Sequence, residues 1–136
     1  MNPFWRAFYS NPIKYNFETE ITFILQHYHD LKRKFEEVTN VVCDFSFTQD
    51  LGYAVMGLNP KQLKIFRSVY DYISDELGTP KLIIFMECAP EILLERIRLR
   101  GRDKESLIGV NFYLLCQSLL SRKSKKLNQK IIAYRF

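Results

Sequence analysis

Cysteine is scarce, with Cys43, Cys88 and Cys116 the only thiols in 136 residues. They are odd in number, far apart and set in apolar runs, so neither a disulfide framework nor a C-x-x-C zinc spacing can be read. Three buried thiols fit a reducing compartment. Histidine is scarcer still: His27 and His29 are two apart, which points them to different helical faces, and no metal site is expected. Glycine and proline supply five residues each, and the chain holds no internal repeat, low-complexity segment or long linker. No apolar run approaches 18 uncharged residues, and residues 1–6 lack the basic flank and apolar stretch of a signal peptide. The expectation is a cytoplasmic protein without membrane contact.

What is present is ordinary for one globular domain over residues 1–136: 47% hydrophobic, 15% aromatic and 26% charged residues. A chain of this length buries enough surface to form a core without a staple. The net charge of +5 favours anionic partners without choosing among them. The basic run Arg122-Lys123-Ser124-Lys125-Lys126 has no interleaved aromatic residues, so it reads as a solvated turn rather than a nucleic-acid contact.

A long helix is predicted from Asn11, which can cap, and Pro12, which suits the first helical position. Its apolar residues Phe17, Ile21, Ile24, Tyr28, Leu31 and Phe35 recur at spacings of four and three. A second helix follows Asn59-Pro60, with Leu63, Phe66, Tyr70, Ile73 and Leu77 on one stripe and Gly78 and Pro80 as stop signals. The two stripes are suited to pair, within one chain or between two. Val41-Val42-Cys43-Asp44 and Leu82-Ile83-Ile84-Phe85-Met86-Glu87 read as buried strands of a parallel sheet. A helix is predicted from Ala89-Pro90-Glu91 to Arg100, interrupted by Gly101, another from about Val110 to Arg122, and a last strand over residues 131–134. Strands alternating with helices argue for a three-layer α/β domain.

Two segments could carry chemistry. Glu95-Arg96-Ile97-Arg98-Leu99-Arg100-Gly101-Arg102-Asp103-Lys104-Glu105 places four arginines within seven residues, and arginine forks suit phosphate oxygens. Arg96 and Arg100 are one turn apart, while Gly101 lets Arg102 and Glu105 approach from another direction. The plain alternative is a solvated helix face with local ion pairs. Asp44 ends a predicted strand, where open α/β sheets place ligands, and could take a proton from a substrate hydroxyl facing a phosphoryl donor. Its alternative is a helix cap made with Phe45-Ser46-Phe47.

Four segments together resemble the deoxynucleoside kinase family. They are Phe8-Tyr9-Ser10-Asn11-Pro12 with Phe17-Glu18-Thr19-Glu20, Val42-Cys43-Asp44-Phe45-Ser46, Phe85-Met86-Glu87-Cys88-Ala89-Pro90-Glu91, and the arginine-rich run, which is similar to the family's lid. The resemblance implies a P-loop-kinase-like parallel sheet flanked by helices, and ATP-dependent transfer of phosphate, with Mg2+, to the 5'-hydroxyl of a deoxyribonucleoside. By position, Tyr9 and Glu105 match contacts to the sugar 3'-hydroxyl, and Glu20, His27 and Asp50 match base-recognition positions. Asp44 matches the general base, and Arg96, Arg100 and Arg102 match lid arginines on the ATP phosphates. An ionised glutamate at position 20 accepts but cannot donate hydrogen bonds, which would favour a base presenting N–H donors. The family generally dimerises through a helix pair, so a homodimer through helices 12–36 and 60–77 is expected.

The chain also departs from the pattern. The family's glycine-rich P-loop has no counterpart: Gly52 and Gly57 have the right separation, but Leu58-Asn59 follows instead of Lys-Ser/Thr. The expectation is therefore a domain shortened at its N-terminus, impaired in transfer. Phe45 stands where the family commonly has arginine. Two other readings compete with an active kinase: a non-catalytic relative that keeps the nucleoside pocket or the dimer surface, and an unrelated helical protein whose basic stretch meets an acidic partner.

Overall fold

Two amphipathic helices, each capped by asparagine with proline in its first turn, organise the first part of the chain. The computed structural model describes residues 2–101 and 130–135. Helix α1 (Trp5–Ser10) is followed by α2 (Pro12–Glu37), α3 (Phe47–Gly57) and α4 (Pro60–Leu77). Then come β1 (Leu82–Glu87), α5 (Pro90–Arg100) and β2 (Lys130–Arg135). Contacts divide the chain into two compact units, Met1–Thr79 with the first four helices and Pro80–Phe136 with the rest.

In the first unit, α2 begins as its sequence dictates. Asn11 Oδ1 accepts from the Lys14 amide (3.1 Å), and Pro12 occupies the first turn, where a missing N–H is harmless. A full capping box starts α4: Asn59 Oδ1 accepts from the Gln62 amide (3.0 Å), and Gln62 Oε1 accepts from the Asn59 amide (3.2 Å). Gly78, at φ 76°, ends that helix. The predicted stripes meet within the chain. Ile24 of α2, Leu51 and Ala54 of α3, Leu58, and Phe66 and Ile73 of α4 form the buried core. Phe17, Ile21, Tyr28, Leu63, Tyr70 and Leu77 pack around it. Burying a side chain the size of Phe66 or Ile73 contributes roughly 1.5–3 kcal/mol, so this seam holds the helices together. A polar clasp closes its edge, where the Tyr28 hydroxyl and Lys32 Nζ both donate to the Glu76 carboxylate at 2.6 Å. Such an exposed clasp adds little stability.

In the second unit, β1 and β2 pair in parallel, Leu82 opposite Lys130 through Glu87 opposite Arg135. The predicted strands over residues 82–87 and 131–134 are thus present. So is the helix up to Arg100, which Gly101 ends in the left-handed region at φ 65°. The helix predicted over 110–122 and Cys116 lie outside the described residues.

Two readings need correction. Residues 41–44 form no strand: they run extended between α2 and α3, with Val42 98% exposed, and β1 pairs with β2 instead. An apolar run becomes a strand only where ladder partners lie beside it. For the same reason Cys43 is exposed rather than buried. Most of the stripe residues on helices 12–36 and 60–77 meet inside the chain, while Phe35 on the first stripe is 48% exposed.

Candidate functional site

Helix α2 has a second face beside its core stripe. Asn16, Glu20, Phe23 and His27 follow at spacings of four, three and four, which places them on one side of the helix. The N-terminal segment packs against this helix and is tied down locally. Asn2 Nδ2 donates to the Thr19 carbonyl (2.9 Å), and Asn2 Oδ1 accepts from the Phe4 amide (2.9 Å). That anchor sets Trp5 edge-on to Phe23, with ring centroids 5.4 Å apart, and Tyr9 edge-on to Trp5 at 4.9 Å. Edge-to-face contacts are the favourable arrangement for aromatic quadrupoles.

Helix α3 brings the opposing residues. Ser46 caps it, its Oγ accepting from the Gln49 amide (3.1 Å), so Asp50 falls in the first turn and is buried against α2. Asp50 Oδ2 lies 2.8 Å from His27 Nδ1. Phe45, just before the cap, lies flat on the His27 ring at 3.9 Å with 13° between planes. Phe23 stacks on the imidazole at 6.1 Å. A continuous line of rings therefore runs Tyr9, Trp5, Phe23, His27, Phe45, and Phe47 lies 6.5 Å beyond.

The electrostatics of this wall are set by burial. Glu20 is 8% exposed and Asp50 4%. Desolvation first, and then the nearby Asp50 charge, push the Glu20 carboxyl up to about 8. Burial also raises Asp50, while its bond to His27 and the charge of that ring pull it back down. At neutral pH Glu20 is therefore mainly a protonated acid, with an O–H donor as well as an acceptor. The condition behind reading it as an acceptor only, ionisation, is not met. No side-chain hydrogen bond to Glu20 occurs among the described residues, so both functions are open.

Asp44 lies at the end of the extended segment and is exposed. The capping alternative does not hold, because Ser46 fills that role. Asp44 borders an open groove of about 520 Å³ together with Asp30, Leu31, Lys34 and residues 41–43 and 45. Arg96 and Arg100 sit in the second unit, both exposed on α5, with Arg100 in the last turn, where a cation also complements the helix dipole. Arg102 and Glu105 lie outside the described residues. The glycines Gly52 and Gly57 belong to α3 and form no phosphate loop. Four of the five expected substrate-facing positions, Tyr9, Glu20, His27 and Asp50, are thus in the helical unit. Trp5, Phe23 and Phe45 were missed as site residues. Phe23 was legible from its place between Glu20 and His27; Trp5 and Phe45 had no local signal.

A family model described as Deoxynucleoside kinase matches residues 1–130. The deoxyguanosine kinase of Bacillus subtilis (strain 168) is 28% identical over 115 residues, which is 82% of this chain and 56% of that protein. The deoxyadenosine kinase of Dictyostelium discoideum is 26% identical over 116 residues, 82% of this chain and 47% of that one. The chain thus spans about half the length of these curated relatives. Among solved structures, deoxyadenosine kinase from M. mycoides with bound dCTP has a similar fold, with a TM-score of 0.79 at 17% identity. That match covers 98% of this chain and 71% of the other.

Proposed function

This chain belongs to the deoxynucleoside kinase family, and we propose that it acts as a deoxynucleoside phosphotransferase. It binds a deoxyribonucleoside against the α2–α3 wall and directs its 5'-hydroxyl toward the γ-phosphoryl group of ATP. The single observation that carries this reading is the convergence of Glu20, His27 and Asp50. They come from two helices and up to 30 positions apart; Glu20 and Asp50 are buried, His27 is half-buried, and aromatic rings frame the histidine. Flat apolar faces with a few fixed polar groups suit a nucleobase. Glu20, His27 and Asp50 read the base edge, and Tyr9 and Glu105 hold the sugar 3'-hydroxyl.

In the reaction the 5'-oxygen bonds to the γ-phosphorus and the bond to the β–γ bridging oxygen breaks. ADP leaves, and the hydroxyl proton passes to Asp44. Arg96, Arg100 and Arg102 hold the donor phosphates, since planar guanidinium forks match phosphate oxygens. Among the described residues no group of three His, Cys, Asp or Glu side chains forms a cation cage. When bound with ATP, magnesium would supply positive charge to offset the charge developing on the transferred phosphoryl group.

Radiolabelled ATP with each of the four deoxyribonucleosides tests the proposal. Formation of a 5'-monophosphate that Asp44→Asn abolishes is the expected result, and no product above that variant would count against it. A second reading, a nucleoside-binding relative without turnover, is favoured by one observation: these 136 residues contain no G-x-x-x-x-G-K-[ST] stretch. Positioning of the donor phosphates carries most of the rate in phosphoryl transfer, so the 136-residue polypeptide alone should be slow. Calorimetry showing nucleoside binding without product would select this reading. A cytoplasmic homodimer completes the proposal. The dimer would use outer faces of α2 and α4, where Leu25, Ile65 and Tyr72 are exposed. No helix among the described residues is long and apolar enough to cross a membrane.

A further inference from the structure

The imidazole of His27 is held from three directions. Phe45 covers one face at 3.9 Å and 13°, Phe23 stacks at 6.1 Å and 30°, and Asp50 Oδ2 takes the Nδ1 edge at 2.8 Å. A carboxylate on Nδ1 fixes the hydrogen there. One polar atom of the ring remains, Nε2, with no hydrogen-bond partner among the described residues, and the side chain keeps 21% of its surface open. A core histidine would have both nitrogens satisfied. This ring is instead clamped on its faces and left with one polar atom unpaired.

We propose that Phe45 is a positioning residue for nucleobase recognition. By stacking on His27 it fixes the plane in which Nε2 meets the base edge, so the ring at position 45 and His27 act as one recognition unit. In the tautomer that carries its hydrogen on Nδ1, His27 accepts a hydrogen bond at Nε2, which selects a base that presents an N–H group to it. The inference rests on the reading of Glu20, His27 and Asp50 as base-facing. Without the ring at position 45 the imidazole can rotate about its side-chain torsions, and each binding event must order it again. The loss should match the worth of one aromatic pair, about 2- to 12-fold in affinity.

The test uses the 136-residue chain, calorimetric titration with each of the four deoxyribonucleosides, and proton NMR of the His27 ring. In the parent protein the ring C–H signals should be shifted upfield by the facing phenyl group. Phe45→Leu should move them downfield and weaken binding of the preferred nucleoside by that factor, while Phe45→Tyr, which keeps a ring, should preserve both. In a His27→Gln background, Phe45→Leu should cause no further loss, because the two side chains act through one contact. Additive losses would overturn the proposal, and so would unchanged affinity in Phe45→Leu once the signals have moved. Should Phe45→Leu not fold, Phe45→Tyr decides alone: signals retained with affinity lost overturns the idea. If no nucleoside binds the parent chain, the functional reading falls and takes this proposal with it. That outcome differs from the others because it appears before any substitution is made.

Discussion

Replacing Glu20 by glutamine should change the pH dependence of folding stability more than the stability itself. The folded carboxyl is pushed from 4.5 up to about 8 by desolvation first and the Asp50 charge second. Between those two values the folded chain keeps a proton at Glu20 that the unfolded chain has released. Stability therefore falls as pH rises, by 1.36 kcal/mol for each pH unit of the interval. The full interval corresponds to about 5 kcal/mol as an upper bound, since a carboxyl with open oxygens relaxes part of its penalty through water. The contribution is wholly present below about pH 4.5 and gone above about pH 8. A glutamine amide has the shape of the protonated acid and does not titrate. Urea unfolding followed by circular dichroism between pH 5 and 9 would give both stabilities at each pH. The difference, Glu20→Gln minus parent, should be small at pH 5 and grow to several kcal/mol in favour of the variant by pH 8. Groups common to both proteins, among them His27 and Asp50, cancel to first order in that difference. A difference that stays flat from pH 5 to 8 would mean that Glu20 ionises normally, and the burial argument would be wrong. Because the amide also donates and accepts, nucleoside binding at pH 7 should survive the substitution.

Three further outcomes follow from the same structure. Asp44→Asn should lower the turnover number by about 10²- to 10⁴-fold, the usual worth of a general base, while nucleoside affinity measured by calorimetry stays within about twofold. Phe66→Ala, at a position with 0% exposure in the core, should cost about 3–5 kcal/mol in urea unfolding. Asn59→Ala removes the cap of α4 and its reciprocal bond with Gln62, for a loss of about 1 kcal/mol measured the same way.

The helices were largely legible along the chain, because their signals are local. Asn11-Pro12 and Asn59-Pro60 satisfy orphan amides from within three residues, and stripes at spacings of three and four state which face must be covered. The end of α5 at Gly101 was equally local, a left-handed residue without a side chain. Residues 41–44 failed because a strand is a relation between segments: the apolar run supplied the residue types, and no ladder partner lies beside it among the described residues. Asp44 was a possible cap by residue type, but α3 starts two residues later and Ser46 caps it.

The site divides along the same line. The family pattern marked Glu20 and His27 as its members on α2, and their spacing places them, with Phe23, on one face of any helix that contains them. The same pattern supplied Tyr9 and Asp50, whereas Asp44 stood out already at the end of an apolar run. Sequence order, however, says nothing of dielectric environment or of the angle between two rings. Only the packing of α3 on α2 decided that Asp50 binds His27, that Phe45 lies flat on the imidazole, and that Glu20 is too dry to hold a charge at neutral pH. Those are properties of groups brought together from distant positions, and their energies exist only once water has been removed from between them.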